Sequence, residues 1–563
     1  MALAFILSGL LAPVVALLAY LVYQNFIAAR WNPLHRIAGP PVRGWFKNHL
    51  YAILEPSVSP AAHEALVKKY GRSIRIRGVG PWDERLLTLD PVSVAHVLKN
   101  STTYEKPWQS RRLISSLIGC GMLSAEGHVH KRQRRVATPA FSTQNMRALV
   151  PLVFRKGGEL KDRWLDMIAE GPKDTEKVTH ERLRIDVCHW ISRATFDVIG
   201  SAGFGYEFNA IKDESNELFC AYKEMFEVAI SQSNVVRTML NVYCPWLTSL
   251  FPDQTMRTVQ RCQKIIRRVA GELINENNRK IAEAEKNGSP FLGKDLLSLL
   301  MKSNAATGLP PEDRISDDDL LSSINTFTFA GSDTTCLTLT WTLWLLAQHP
   351  DMQTRLRAEL LSVARPSADG LANLTEDELR SLYGMIANLP YLHNVCRESL
   401  RLIPPVHSTI RVATRDDEIP TAYPVHKSDG TIDVDKGSVS IRMGSLIHVA
   451  VEGFNLDKGI WGQDAWVFNP DRWEDLPEAA ARQPGLFSNT LSFSAGPRSC
   501  IGMRFSLVEI KTFLYILITN FVFDVTDSKI FKANVVLTRP YVCGKYKEGS
   551  QCPLLVSRYI SSQ

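Results

Sequence analysis

Ten cysteines are spread through the 563-residue chain, and one of them stands where a sulfur could be put to use. Cys500 follows Phe493-Ser494-Ala495-Gly496-Pro497-Arg498-Ser499 and precedes Ile501-Gly502 and an apolar helical run from Phe505 to Phe521. Gly496, Pro497 and Gly502 let the backbone bend tightly and pass close to a flat ligand, presenting a single sulfur to it. Backbone N–H groups and the positive dipole end at a helix entry favour a thiolate. Arg498 is placed to neutralise an acidic group nearby. The other nine, Cys120, Cys188, Cys220, Cys244, Cys262, Cys336, Cys396, Cys543 and Cys552, include no C-x-x-C pair and no dense cluster. That spacing argues against a zinc or disulfide framework and reads as small buried apolar side chains in a reducing compartment.

Three further groupings could do chemistry. Glu398-Ser399-Leu400-Arg401 puts an acid and a base at i and i+3 of one helix face, where they can touch. Alone, such a pair is a surface ion pair contributing under about 1 kcal/mol. Ala330-Gly331-Ser332-Asp333-Thr334-Thr335 interrupts an apolar helix that continues through Leu337, Leu339, Trp341 and Leu343. An interior glycine costs about 1 kcal/mol relative to alanine, and a buried unpaired aspartate costs more. Either a polar kink, with hydroxyls bonded back to the preceding turn, or a function must offset both. Finally, His130-Lys131-Arg132-Gln133-Arg134-Arg135 is a basic run that reads as a solvated helix face or a phosphate patch.

The string from Phe493 to Gly502 resembles the haem-binding loop of the cytochrome P450 family at every defining position: Phe493, Gly496, Arg498, Cys500 and Gly502. The other groupings follow that family's order along the chain. The resemblance implies haem b (iron protoporphyrin IX) with the Cys500 thiolate as axial metal ligand, which favours cleavage of the O–O bond. It implies that Glu398 and Arg401 join Arg472, in Phe468-Asn469-Pro470-Asp471-Arg472-Trp473, in a buried structural network. It makes Thr334 the residue that hydrogen-bonds reduced dioxygen and Asp333 its link to water and bulk protons. Arg134 and Arg411 match positions that hold haem propionates; His130 stands where the family often has tryptophan. Lys131, Arg132 and Arg135 would face the thiolate side and dock an acidic electron donor. Ile118, Met122, Phe327, Phe329, Ala330, Val406, Ile410 and Val536 would line the substrate pocket, although ordinary core packing explains such residues equally well.

The same resemblance implies a monooxygenase that inserts one oxygen atom of O2 into a lipophilic molecule, in xenobiotic or secondary-metabolite oxidation. NADPH would supply electrons through a membrane-bound NADPH–cytochrome reductase, with cytochrome b5 as a second donor. A haem-thiolate isomerase or dehydratase needs no external electrons, and a haem sensor or carrier turns nothing over. The Asp333-Thr334 pair argues against the isomerase. The Lys294–Leu300 segment and the long stretch before Lys436-Gly437 look fungal.

These residues need a scaffold. Hydrophobic residues make up 45% of the chain and charged ones 22%, enough for a large core. The balance of 65 basic and 58 acidic residues is too even to argue for a nucleic-acid partner. No charged side chain occurs from Met1 to Ala29, and Arg30, His35, Arg36, Arg43 and Lys47 follow. This pattern predicts a single-pass membrane anchor over 1–29, with the catalytic part on the cytosolic face of the endoplasmic reticulum. A basic, proline-rich hinge over 30–60 and a haem-thiolate domain over 61–563 complete the expected organisation. The sequons at Asn100, Asn287 and Asn373 would then stay unmodified. Ser316 with Asp319 and Thr375 with Glu378 read as capping boxes, the first opening a helix from Asp317 to His349. Short alternating runs between Arg411 and Val451, broken at Asp429-Gly430 and Lys436-Gly437, read as strands. The expected fold is the mainly α cytochrome P450 fold with a small β-lobe, one large domain behind a transmembrane helix.

Overall fold

The computed structural model describes residues 31–42, 44, 47–80, 83–171, 182–230, 252–287, 293–305, 308–363, 371–434 and 437–560, together with Val15, Ala16, Ala19, Val22 and Tyr23. Apart from those five residues, the expected anchor over 1–29 lies outside the described residues, as do Arg30, Arg43 and Lys436. Among the described residues no helix is long and apolar enough to cross a membrane. The chain divides into two compact units: residues 1–107, 407–466 and 477–499, and residues 108–406, 467–476 and 500–563.

The first unit is built on a five-stranded sheet. Its order is Ser73–Arg77, Glu84–Thr88, Leu446–Val449, Thr409–Ala413 and Tyr104–Glu105, antiparallel except where Leu446–Val449 runs parallel to Glu84–Thr88. The late strand signals are present as Ser438–Ile441 and Leu446–Val449, and Asp429-Gly430 turns Val425–His426 onto Ile432–Asp433. The lobe is not confined to the late chain, however, because three of the five strands come from before residue 107. Leu86, Leu87, Ile447 and Val449 form one core with Ile74, Val94 and Phe454.

The second unit is helical. We label Gly127–Ala137 α1, Thr143–Glu170 α2, Val187–Phe204 α3, Glu217–Ile230 α4, Asp317–Gln348 α5, Pro390–Leu402 α6 and Met503–Asn520 α7. The expected box starts α5: the Ser316 hydroxyl accepts from the Asp319 amide and the Asp319 carboxylate from the Ser316 amide, both at 3.2 Å. His349, ahead of Pro350, ends it. The Thr375–Glu378 box caps its helix in the same way. Thr328, Thr338 and Thr342 donate to carbonyls four residues back, so this helix carries hydroxyls through a dry interior without unpaired donors.

α7 is apolar nearly all round, with Phe513, Leu514, Ile516, Leu517 and Ile518 each fully buried, as befits a central helix. Each such side chain contributes roughly 1.5–3 kcal/mol on burial. Phe521–Val525 continues from it into a three-stranded sheet with Pro553–Arg558 and Arg182–Asp186. Ile530–Val535 and Leu537–Val542 form a separate hairpin. Cys188, Cys262, Cys336, Cys396 and Cys552 are buried as expected, but Cys120, Cys220 and Cys543 are exposed. No disulfide occurs among the described cysteines.

Candidate active site

Cys500 is the first residue of its stretch in the helical unit and stands three residues before Met503, which opens α7. Its sulfur takes a hydrogen bond from the Gly502 amide and lies within reach of the Arg134 guanidinium, which comes from the last turn of α1. Both favour the thiolate; the helix-entry argument expected the backbone amide, whereas Arg134 was expected at a haem propionate. Burial acts the other way and prevails, so the thiol pKa is pushed above its ordinary value of 9.0. Burial also lowers the pKa of Arg134, and the Cys500 sulfur partly opposes that. Cys500 nevertheless has accessible surface. A side chain that is both desolvated and accessible borders an internal space rather than the outer face.

Gly502 helps to keep that space clear. A Cβ there would lie 4.0 Å from the Cys500 sulfur and 3.9 Å from Phe141, so any larger side chain would grow in beside the sulfur. Gly496 has a different role in the first unit. Its φ is +69°, and a Cβ would meet the Leu98 carbonyl oxygen at 2.4 Å. Phe493 is buried there against Phe487, ring centroids 5.5 Å apart, and Arg498 is half-buried in the turn Gly496–Arg498. Arg411, in the same unit, is buried and donates to the Thr409 hydroxyl and, at 3.0 Å, to the Ile410 carbonyl.

The middle of α5 opens where its flanks do not. Phe327, Thr328 and the run from Thr335 to Leu343 are buried, whereas Ala330 is exposed and Gly331 to Thr334 are half-buried. Gly331 serves helix packing: a Cβ would come 2.9 Å from Ile199 Cδ1 of α3. The Thr334 hydroxyl donates back to the Ala330 carbonyl at 2.7 Å, the bond that the kink reading requires. Its lone pairs remain able to accept. Thr335 meets the Ser506 hydroxyl at 3.1 Å and so joins α5 to α7.

Asp333 is not unpaired. Two guanidinium nitrogens of Arg539, in the strand Leu537–Val542, contact its two carboxylate oxygens, one at 3.3 Å. Nothing in the spacing of the sequence links these residues. Glu509 on α7 also escaped the sequence reading. It is fully buried, neither carboxylate oxygen has a partner of hydrogen-bonding geometry, and burial pushes its pKa well above the ordinary 4.5, with nearby Thr335 opposing.

Glu398, Arg401 and Arg472 come together as the resemblance implied. Glu398 accepts from Arg401 at 2.7 and 2.9 Å, from Arg472 Nε at 3.3 Å, and from the Asn469 amide and Trp473 Nε1 at 3.1 Å each. All three side chains are buried.

The basic run is less open than expected. Arg132 and Gln133 donate to Asp319 at 2.8 and 2.7 Å, and Arg135 pairs with Asp313, so the run is fastened to the start of α5. Among the described residues Lys131 alone of the three proposed docking cations has no acidic partner. His130 is 8% exposed, inside the fold rather than on a solvated face. Of the expected pocket residues, Ile118, Met122 and Phe327 are buried, and Phe329 stacks on Phe226 at 4.3 Å. Ala330, Val406 and Val536 are exposed, Val536 with a φ of +61°.

The family model described as Cytochrome P450 matches residues 39–541. The chain belongs to the cytochrome P450 family. Cytochrome P450 monooxygenase 205 of Postia placenta is 36% identical over 557 residues, 97% of each chain. Monooxygenase 128 of the same fungus is 34% identical over 560 residues, 98% of this chain and 97% of its own. A ganoderic acid synthetase of Ganoderma lucidum is 31% identical over 538 residues, 92% of each. This P450 is an oxidoreductase of the monooxygenase type, and its family implies haem held by a cysteine thiolate, with O2 as substrate. The residues fit that group: an accessible sulfur, a glycine beside it, and a central helix bared at Ala330. Bound iron would also reverse the effect of burial on Cys500, since coordinated thiols ionise outright.

Proposed function

We propose that this P450 oxidises a lipophilic small molecule by inserting one atom of O2, the other leaving as water, with two electrons from NADPH delivered by a membrane-bound reductase. Cytochrome b5 is a second candidate donor. The observation that carries the reading is the Cys500 sulfur, accessible to an internal space, hydrogen-bonded by Gly502 and flanked by Arg134. Haem, when bound, supplies the dioxygen and oxygen-transfer chemistry that no side chain provides.

The protein's own residues orient and supply protons. By the family resemblance Cys500 would hold the haem iron through its thiolate, and Arg134, Arg411 and Arg498 would balance the haem carboxylates, with His130 beside Arg134 on α1. The Thr334 hydroxyl hands a proton towards the oxygen site and is reprotonated through Asp333. Glu398, Arg401 and Arg472 hold the fold around the cysteine loop and take no part in turnover. The apolar stretch 1–29 and the cations after it support a single-pass anchor, with the catalytic part on the cytosolic side of the endoplasmic reticulum. An enzyme anchored at a membrane suits a terpenoid, steroid, fatty acid or polycyclic aromatic substrate, and the relative named as a ganoderic acid synthetase supports a role in secondary metabolism.

The test is turnover of a panel of such compounds by the protein with reductase and NADPH under isotopically labelled dioxygen. One labelled atom in the product, dependent on NADPH, supports the reading. Product formed without NADPH identifies an isomerase or dehydratase, and carbon monoxide binding with no product on any substrate identifies a sensor or carrier.

A further inference from the structure

The first unit holds a buried histidine that no structural hydrogen bond employs. His63, on the helix Ser59–Tyr70, is 3% exposed, and neither ring nitrogen has a partner of hydrogen-bonding geometry. Burial pushes its pKa down to about 4, against the pull of Glu452 and Asp457. Near neutral pH the ring is therefore uncharged, with one nitrogen able to donate and the other to accept. Leaving both unmet inside the fold is destabilising. Gly453 keeps the ring in its place, since a Cβ there would lie 2.8 Å from Nδ1.

His63 lines a cavity of about 200 Å³ between this helix and residues 453–463. Val67, one turn further along the helix, joins Leu89 and Leu456 in an apolar wall. Most of the charged groups bordering the cavity are already matched. Arg72 holds both carboxylate oxygens of Asp457, one at 3.3 Å, and Lys458 pairs with Glu64 at 3.1 Å. Lys68 is exposed at the mouth and has no acidic partner among the described residues. It stands five residues after His63, about 7.5 Å along the helix. The volume is several times the roughly 30 Å³ of one water and below the roughly 300–1,000 Å³ of sites for drug-sized ligands. A single substituted ring fits it and a steroid does not.

We propose that this cavity is a binding site for a small hydroxylated aromatic carboxylate, with its hydroxyl on His63, its ring against Val67, Leu89 and Leu456, and its carboxylate at Lys68. A hydroxyl serves a neutral imidazole in either tautomer, because it donates to a bare nitrogen and accepts from an N–H. A carboxylate gives Lys68 the charge-assisted bond that Glu64, already paired, does not. The para positions of one benzene ring span the separation between the two ends. The site lies wholly in the first unit and is independent of Cys500, Asp333 and Thr334, which belong to the second.

The experiment is equilibrium dialysis of labelled para-hydroxybenzoate against the haem-loaded protein, with the iron saturated by clotrimazole, whose bulk the cavity cannot admit. The acid should bind once per chain and about tenfold more tightly than benzoate, which lacks the hydroxyl. His63→Phe keeps a ring and removes both unmet nitrogens, so it should melt no lower than the wild type and bind the two acids alike. Lys68→Met is an exposed change that carries the test if His63→Phe does not fold. It should weaken both acids severalfold at low salt and leave the neutral para-hydroxybenzamide unaffected. Binding that clotrimazole abolishes puts the acid at the haem, and no binding at millimolar acid leaves the cavity to water; either result overturns the proposal. So does binding that neither variant changes, or benzoate binding as tightly as its hydroxylated analogue.

Discussion

Glu398→Gln removes one negative charge and almost no volume from a buried polar cluster of the helical unit. Two carboxylate oxygens now receive five N–H groups, from Arg401 twice and from Arg472, Asn469 and Trp473. A glutamine offers one acceptor oxygen and turns an NH2 group towards the remaining donors, while Arg401, itself 0% exposed, loses the carboxylate that accepts two of its N–H groups. Breaking a buried pair by removing one partner costs about 3–5 kcal/mol. The control is Arg279→Gln, whose partner Glu276 is 2.6 Å away with both side chains largely in solvent, and whose loss should cost under about 1 kcal/mol. Urea unfolding of both variants at matched haem content gives the comparison. Glu398→Gln should also lose haem faster on gel filtration. A Glu398→Gln penalty no larger than that of Arg279→Gln would refute the view that this cluster holds the fold.

Three other outcomes are expected. Glu509 is protonated in the folded protein at pH values where the unfolded chain has released that proton. Stability therefore falls as pH rises above the ordinary 4.5 towards the raised folded value, by at most about 1.4 kcal/mol per pH unit, and Glu509→Gln should flatten that slope in unfolding titrations. Gly496→Ala should destabilise by more than about 1 kcal/mol, because it combines a left-handed backbone with a 2.4 Å approach to Leu98. Gly502→Ala should change unfolding by less than about 1 kcal/mol and instead shift the absorption of bound haem. Thr334→Ala loses only a local bond to Ala330, so it should melt within about 1 kcal/mol of wild type yet divert severalfold more NADPH into peroxide.

Sequence reasoning succeeded where chemistry is encoded by local spacing. Glu398 and Arg401 meet because i and i+3 share a helix face, Ser316 and Asp319 cap α5 because three residues close that box, and Cys500 stands at a helix entry because Gly502 and the apolar run say so. It failed where the outcome depends on distant chain. Arg539 reaches Asp333 across 206 residues, and nothing near either residue announces the other. Arg132 and Arg135 read as free cations because Asp319 and Asp313 are remote in sequence. The desolvation of Cys500 was not legible for a related reason. A helix entry is visible in the sequence, but desolvation sums over everything the fold packs around the sulfur. The β-lobe was half seen, since Leu446–Val449 finds its parallel neighbour in Glu84–Thr88.

The central claim is that the Cys500 thiolate ligates haem iron, and the absorption spectrum of the reduced carbon monoxide complex tests it most directly. The wild-type protein should show the red-shifted band of thiolate ligation, and Cys500→Ala should lack it. A wild-type complex without that band, or a Cys500→Ala complex that keeps it, would contradict the account.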